Sequence, residues 1–373
     1  MDRKLKILLS GFEVAIDRGG IQNTLYLFAD YFSKSIETSI ICDCKSVPPV
    51  SSNIFVYKSK FNFPKNLIRL SVDFVKLAIR AHKEQKINYG LAVNIGTADA
   101  LLFLKIFYGI PYGVLVHGAD IVGRHLSKNI FKNLLLRIRR YIVLKYADQI
   151  FANSNYTKNL ALKYVSSSKI TIINPPIEDV VNTFVTKSKK HILFSIARLE
   201  ERKGFQYVLY ALKELVVKIP DLKYYIAGNG SYKNELENIV LENNLSDHVV
   251  FLDRISDEDK YYYYKECGLF IMPSFFIPQN DDVEGYGIVY LEANSVGRFV
   301  IGSNSGGVPD AIQEGVTGFV VSEKNSDAIV KSVMDFYDAS FDYDPEKCLE
   351  WAKKNEMRVI GEKYLSSINK ILS

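Results

Sequence analysis

The sequence predicts an α/β protein built from two parallel-sheet halves, each covered by helices. Three observations carry that prediction. Short apolar runs alternate with helical stretches through both halves of the chain, the pattern of strands buried on both faces of a sheet. Each run ends on glycine or a polar residue, where a strand gives way to a loop. At 373 residues the chain exceeds what one hydrophobic core usually fills, so two domains are expected.

In the first half, residues 6–10, 39–42, 91–95, 113–117 and 149–152 read as strands, with helices over 22–33 and 66–84 between them. In the second half, strands are expected over 191–197, 222–227, 248–252, 268–272 and 299–302. Helices over 206–218, 231–242 and 288–295 separate them. The turn Asn174-Pro175-Pro176 and the polar run that follows place a boundary near 184. Residues 345–373 read as helical and contain the single tryptophan, Trp351. The expected domains are 1–183, 184–350 and a terminal helix over 351–373.

Composition narrows the class. A hydrophobic fraction of 48% and a charged fraction of 24% belong to an ordinary globular protein. Cys42, Cys44, Cys267 and Cys348 are too scattered for a disulfide framework, and Cys42-Asp43-Cys44 lacks zinc-knuckle spacing, so a reduced cytoplasmic setting is expected. The first residues read as a β-strand rather than a signal peptide, and the apolar window 101–116 is broken by Lys105 and Pro111. Residues 1–186 carry 25 Lys+Arg against 13 Asp+Glu, whereas 187–373 carry 22 against 29. A basic half joined to an acidic half implies different partners for each, with anionic surfaces preferred by the first.

The residues that suggest chemistry stand where expected strands end, and open parallel sheets bind ligands there. Glu284 and Glu292 bracket a glycine-rich turn and the start of an apolar helix, and Gly306-Gly307 follows one strand later. Carboxylates accept hydrogen bonds from sugar hydroxyls, while backbone N–H groups at glycine turns suit phosphates. Arg198 ends one strand, with Lys203 five residues on, and Gly228 and Gly230 end the next. A guanidinium forks onto diphosphate oxygens and an ammonium supplies a point charge. Gly19-Gly20, His117 and Asn153-Ser154 occupy the equivalent strand ends of the first half. Each piece alone also fits a surface charge, a buried histidine or a chance glycine pair. Together they suggest a nucleotide-sugar site.

With these motifs in place, the chain resembles the retaining GT-B glycosyltransferases of family 4. The resemblance rests on Arg198-x4-Lys203, Gly228-x-Gly230, Glu284-x7-Glu292 and Gly306-Gly307, with earlier matches at 18–20, 116–120, 151–156 and 173–177. It runs nearly end to end and in order. It implies a GT-B architecture, two Rossmann-like domains facing each other across a cleft, with acceptor on the first, nucleotide-sugar donor on the second and the terminal helix over 351–373 crossing back to the first. Arg198 and Lys203 would bind the donor diphosphate, with Gly19 and Gly20 reaching it from the first domain. Glu284 would contact the donor sugar, Glu292 the ribose and His117 a sugar hydroxyl. Arg254 and Ile255 would flank the base, and Gly287 and Ile288 would present N–H groups to phosphate. Asp120, Asn153 and Ser154 are the remaining candidates for sugar or acceptor. The family needs no metal, and the carboxylates of Asp281 and Asp282 are expected to face solvent or sugar. The pair Leu252-Asp253 stands where relatives often carry glycine.

The first half adds two basic stretches, 65–86 and 124–145, the second with Arg124, Lys128, Lys132, Arg137, Arg139, Arg140 and Lys145 among Leu, Ile and Phe. Such helices suit an anionic membrane surface next to a polyprenyl- or lipid-linked acceptor; two solvated helix faces are the plainer alternative. Rival functions are another GT-B enzyme, such as an epimerase or phosphorylase, and a nucleic-acid-binding or nucleotide-sensing module. Neither a pyridoxal lysine nor a stacking-aromatic platform supports them.

Overall fold

The structure is a computed structural model, and it describes residues 4–12, 20–43, 53–61, 67–122, 130–180, 186–280 and 282–373. Its chain divides into two compact units, 1–178 with 356–373, and 179–355.

Unit 1 begins β1 (Lys6–Ser10), α1 (Gly20–Ser33), β2 (Glu37–Cys42), β3 (Ile54–Lys58) and α2 (Leu67–Gln85). It continues through β4 (Tyr89–Ala92), α3 (Ala98–Tyr108), β5 (Tyr112–Val116), α4 (Ala119–Val122), α5 (Ile130–Tyr146), β6 (Gln149–Ala152), α6 (Asn155–Ala161) and β7 (Ile170–Ile172). The described strands line up as β3-β2-β1-β4-β5-β6-β7, and each neighbouring pair is parallel. Successive residues of a strand face opposite sides. Ile7 and Leu9 therefore enter one apolar layer and Leu8 the other. A sheet buried on both faces explains why its strands read as unbroken apolar runs.

Unit 2 repeats the design with β8 (Ile192–Ile196), α7 (Phe205–Lys218), β9 (Lys223–Ala227), α8 (Lys233–Glu242), β10 (Val249–Asp253) and α9 (Asp257–Glu266). After β11 (Leu269–Ile271) come α10 (Ile288–Asn294), β12 (Phe299–Ser303), α11 (Val308–Ala311), β13 (Gly318–Val321), α12 (Ser326–Tyr337) and α13 (Pro345–Lys353). The strand order is β10-β9-β8-β11-β12-β13, all parallel. One face of this sheet buries Leu193, Tyr224, Ile226, Phe299 and Ile301 against α7 and α12. The other is aromatic, with Phe194 against Tyr263, Tyr264 and Phe270. Both sheets are Rossmann-like, with the strand order reversing beside β1 and beside β8.

The last helix, α14 (Met357–Leu372), belongs to unit 1. Met357, Ile360, Tyr364 and Ile368 recur at helical spacing and bury against Leu25, Phe28 and Phe32 of α1.

Three boundaries differ from the sequence reading. The stretch 345–373 is two helices rather than one. Asn355 closes α13, its N–H donating to the Ala352 carbonyl at 2.9 Å, and Glu356 is extended at φ −61°, ψ 148°. Trp351 stays in unit 2, where its indole N–H donates to the Ala311 carbonyl at 2.8 Å. The units part at 178/179 rather than near 184, because the chain at Ile177 pairs with Glu356 and accepts the Met357 N–H at 3.0 Å. The strand expected over 91–95 ends at Ala92, and Ile95–Thr97 turns as a single 3-10 segment.

Candidate functional site

In unit 2 the chain leaves β8 at its reversal point and passes Arg198, which is exposed and lies 2.6 Å from Glu200 through Nη1. One 3-10 turn, Glu201–Lys203, follows. It ends on Gly204 at φ +78°, where a Cβ would come within 2.1 Å of the Pro273 carbonyl oxygen. Only glycine lets the turn pack that closely. The turn directs two cations at one carboxylate. Lys203 Nζ lies 2.5 Å from Glu284 Oε2, and Arg202 Nη1 lies 3.0 Å from the same oxygen. Arg202 also reaches Asp282 Oδ1 at 2.8 Å through Nε, and its side chain is only 5% exposed. Burial pushes the Glu284 carboxyl up, but Lys203 and Arg202 outweigh it and hold the group down at about 2. Burial lowers the Lys203 ammonium, with Arg202 adding to the effect and Glu284 opposing it.

The second carboxylate has its own supports. Glu292 projects from α10, where Lys260 Nζ lies 3.0 Å from Oε1 and the Tyr264 hydroxyl donates to Oε2 at 3.0 Å. Lys260 and Tyr264 stand four residues apart on α9, hence on one face. Burial works against the Lys260 charge, but Glu292 and Asp257 outweigh it and raise the ammonium above its usual range. The glycine turn after β12 ties back to the first carboxylate. The Gly307 N–H donates to the Glu284 carbonyl at 2.9 Å, and Gly306, at φ +55°, passes so close that a Cβ would sit 2.2 Å from that oxygen.

In unit 1, His117 follows β5 with Nε2 2.7 Å from the Val93 carbonyl oxygen. Its N–H donates to Asp120 Oδ1 at 2.9 Å, while Asp120 Oδ2 is buried without a hydrogen-bond partner among the described residues. Ser154 follows β6 and caps α6, accepting the Thr157 N–H at 3.2 Å. Asn153 Oδ1 accepts from the Ser154 hydroxyl, and the Asn153 carbonyl accepts from Asn174 Nδ2 at 3.2 Å. Both residues are buried and engaged in local structure. Gly20 opens α1; Gly19 lies outside the described residues.

Residues 18–180 match the family described as Glycosyltransferase Family 4, and residues 177–357 match Glycosyl transferases group 1. Together they span both Rossmann-like units. The chain belongs to the GT-B glycosyltransferases of family 4. It is 36% identical over 144 residues to a GDP-mannose-dependent alpha-(1-6)-phosphatidylinositol monomannoside mannosyltransferase of Mycolicibacterium smegmatis. That match spans 39% of this chain and 38% of the mycobacterial protein. It is 28% identical over 260 residues to an uncharacterized glycosyltransferase of Haemophilus influenzae, across 68% of this chain and 67% of that one. The Anabaena HepE structure with UDP and glucose superposes at a TM-score of 0.76, with 17% identity, over 98% of this chain and 99% of that one. At that identity the likeness is one of fold.

Within this GT-B frame, the structure brings Lys203 and Glu284 together directly and leaves Arg198 on the surface beside Glu200. Gly228 and Gly230 end β9, but their N–H groups are in use, donating to the Asp253 carbonyl at 2.6 Å and to Asn229 Oδ1 at 2.7 Å. Gly287 precedes α10 and Ile288 is its first residue. Arg254 is exposed and Ile255 half-buried just beyond β10. Asp253 takes a left-handed backbone at φ +53°, the conformation a glycine would adopt without strain. One expectation is corrected: Asp282 faces neither solvent nor sugar but is buried against Arg202, while Asp281 lies outside the described residues.

Sequence reasoning passed over Arg202, Asp282, Lys260 and Tyr264. Arg202 read as the neighbour of a more conspicuous lysine. Its signal was acidic residues at 200, 282 and 284, in excess of what Arg198 and Lys203 neutralise. Lys260 and Tyr264 are hidden in a charged, tyrosine-rich helix without an apolar stripe.

Proposed function

We propose that this chain is a retaining glycosyltransferase that moves a sugar from a UDP- or GDP-sugar to a glycan or lipid-linked acceptor, in the synthesis of cell-surface polysaccharide, lipopolysaccharide or glycolipid. The observation that carries the reading is the Arg198–Lys203 turn closing on Glu284 at the reversal point of the unit 2 sheet. The mannosyltransferase likeness supports a nucleotide-sugar donor and a lipid acceptor, and the HepE complex is consistent with UDP in this fold.

In this reading Arg198 and Lys203 take the donor diphosphate and stabilise it as negative charge builds on departure. They serve where other transferases use a divalent cation, so no metal is required. Glu284, kept ionised by its two cations, accepts hydroxyls of the sugar, and Glu292 those of the ribose. Backbone at Arg254 and Ile255 reads the base. Gly19, Gly20, Gly228, Gly230, Gly287 and Ile288 offer close backbone approach to the donor. His117 and Asp120 hold a sugar hydroxyl, with Asn153 and Ser154 shaping the acceptor side. No side chain serves as a dedicated base: the acceptor attacks the face the nucleotide leaves, and the departing phosphate takes its proton. The protein works on the cytoplasmic side, at the membrane where a lipid-linked acceptor is held.

Incubation with GDP-mannose, UDP-glucose, UDP-galactose and UDP-N-acetylglucosamine, following nucleotide release, tests the activity. Lys203→Ala is expected to lower turnover by about 10²–10³, with the fold retained by circular dichroism. Near-full turnover in that variant refutes the electrostatic role. NMR of the anomeric proton in the product checks retention.

A further inference from the structure

A second cluster of charge in unit 2 lies at the opposite edge of the sheet from Arg198, Lys203 and Glu284. It lines a cavity of about 410 Å³ built from the chain that enters three adjacent strands: Lys187, Lys189 and Lys190 before β8, Lys265 and Glu266 before β11, and Arg298 before β12. These strands are parallel, so the cavity sits at their amino ends, whereas Arg198, Lys203 and Glu284 follow their carboxyl ends. A five-residue strand such as β8 separates the two edges by roughly 16 Å.

Five cations and one carboxylate make an unbalanced wall. Arg298 is 3% exposed, and its guanidinium donates only to carbonyls and to no carboxylate among the described residues: Nε to Tyr264 at 3.1 Å, Nη1 to Thr186 at 2.6 Å and Nη2 to Lys265 at 2.5 Å. A buried charge ordinarily meets an opposite one. Lys189 Nζ donates to the carbonyls of Phe336, Asp338 and Phe341. Burial and the nearby Lys187 push its ammonium down, with Asp338 opposing them. Most of these carbonyls end α9 and α12, and each helix end supplies only about half a negative charge.

Capping two helices accounts for Arg298 and Lys189 but not for the outer lysines. Lys265 is exposed and has no ion-pair partner among the described residues. Lys190 meets Glu266 at 2.6 Å, and Lys187 meets Asp342, whose side chain is 79% exposed. Water screens such exposed pairs, so they offset little of the charge behind them. The cations expected to act over 124–145 are placed differently. Arg139 Nε lies 2.9 Å from Asp99 Oδ1, Arg140 donates to the Ile121 carbonyl at 2.6 Å, and Arg124 and Lys128 lie outside the described residues.

We propose that this cavity binds a phosphoryl dianion, carried by a small phosphate monoester or present as free phosphate. The outer lysines supply ammonium donors that turn to meet a tetrahedral anion. Behind them Arg298 supplies a fixed positive charge where water screens it least. The volume is that of a small-molecule site and exceeds a bare phosphate, so a short carbon skeleton fits beside the phosphoryl group. No residue of this cavity enters the donor site, so either site can fail without the other.

Calorimetric titration of the full chain with inorganic phosphate, with glycerol 3-phosphate and with neutral glycerol tests it. At least one anion is expected to bind, and glycerol is not. Tighter binding of the ester identifies a monoester as the ligand; equal or tighter binding of phosphate identifies the free ion. Saturating UDP or GDP is expected to leave that binding unchanged, as is Lys203→Ala. The double variant Lys190→Ala, Lys265→Ala is expected to weaken it at least about tenfold, with its thermal melt and nucleotide release in phosphate-free buffer unchanged. Neither heat nor a raised melting temperature with either anion at about 10 mM overturns the proposal. So does a double variant that binds like the wild type, glycerol that binds as well as its phosphate, or an anion displaced by nucleotide or lost in Lys203→Ala. Failure of the transferase reading alone appears as absent nucleotide release with anion binding intact.

Discussion

Arg202 shows how a single residue sets the state of another. Its buried guanidinium touches Asp282 and Glu284, and together with Lys203 it keeps Glu284 charged where burial alone would protonate it. Glu284 sits at about 2 against an ordinary value of 4.5. A carboxyl depressed on folding adds stability above its unfolded value and loses it as pH falls toward the folded one. Glu284 therefore contributes roughly 3 kcal/mol that is complete above pH ~4.5 and fades between there and ~2. Urea unfolding across that window is expected to fall steeply for the wild type and more gently for Glu284→Gln. Parallel slopes would show that Glu284 titrates normally. The Arg198, Lys203, Glu284 and Glu292 pattern was readable from spacing alone. Which cation meets which carboxylate was not, because Glu284 lies about eighty residues from Arg202 and Lys203 in sequence.

At the scale of elements, α9 does work that its sequence conceals. The helix α9 has no apolar face to announce it, yet it presents Lys260 and Tyr264 to Glu292. Removing the phenol in Tyr264→Phe costs a charge-assisted hydrogen bond of about 1.5–3 kcal/mol. If Glu292 binds ribose equally before and during transfer, the donor KM rises several-fold while kcat holds; steady-state kinetics with the preferred donor decides this. Strands β3, β7 and β13 were not read from the sequence, although Ile54-Phe55-Val56-Tyr57 of β3 is apolar throughout. All three lie at an edge of their sheet and are partly exposed. Helix α14 buries Tyr364 between Phe28 and Phe151, each ring centroid 4.7 Å away. Tyr364→Ala is expected to cost about 3–5 kcal/mol in unit 1 and to leave unit 2 untouched. Calorimetry should resolve one lowered transition and one unmoved; two lowered transitions would mean that the units unfold together.

The whole molecule pairs two sheets of the same strand order with opposite charge balance, a basic first half and an acidic second. If the nucleotide is held by unit 2 residues, saturating UDP or GDP at about 100 Kd stabilises that unit by about 2.7 kcal/mol. Its melting transition should then move before that of unit 1; movement of unit 1 alone would place the nucleotide elsewhere. The amino-acid order by itself determined the fold class, the order of most strands and helices, and the carboxylates and cations at the strand ends. Those follow from local periodicity and from residue chemistry at element boundaries, which neighbours along the chain suffice to specify. Tertiary structure alone decided that the return to unit 1 falls at Glu356 and that Arg202 and Lys203 share Glu284. Each of these depends on burial and on contacts between residues far apart in sequence, and neither is encoded in any local stretch.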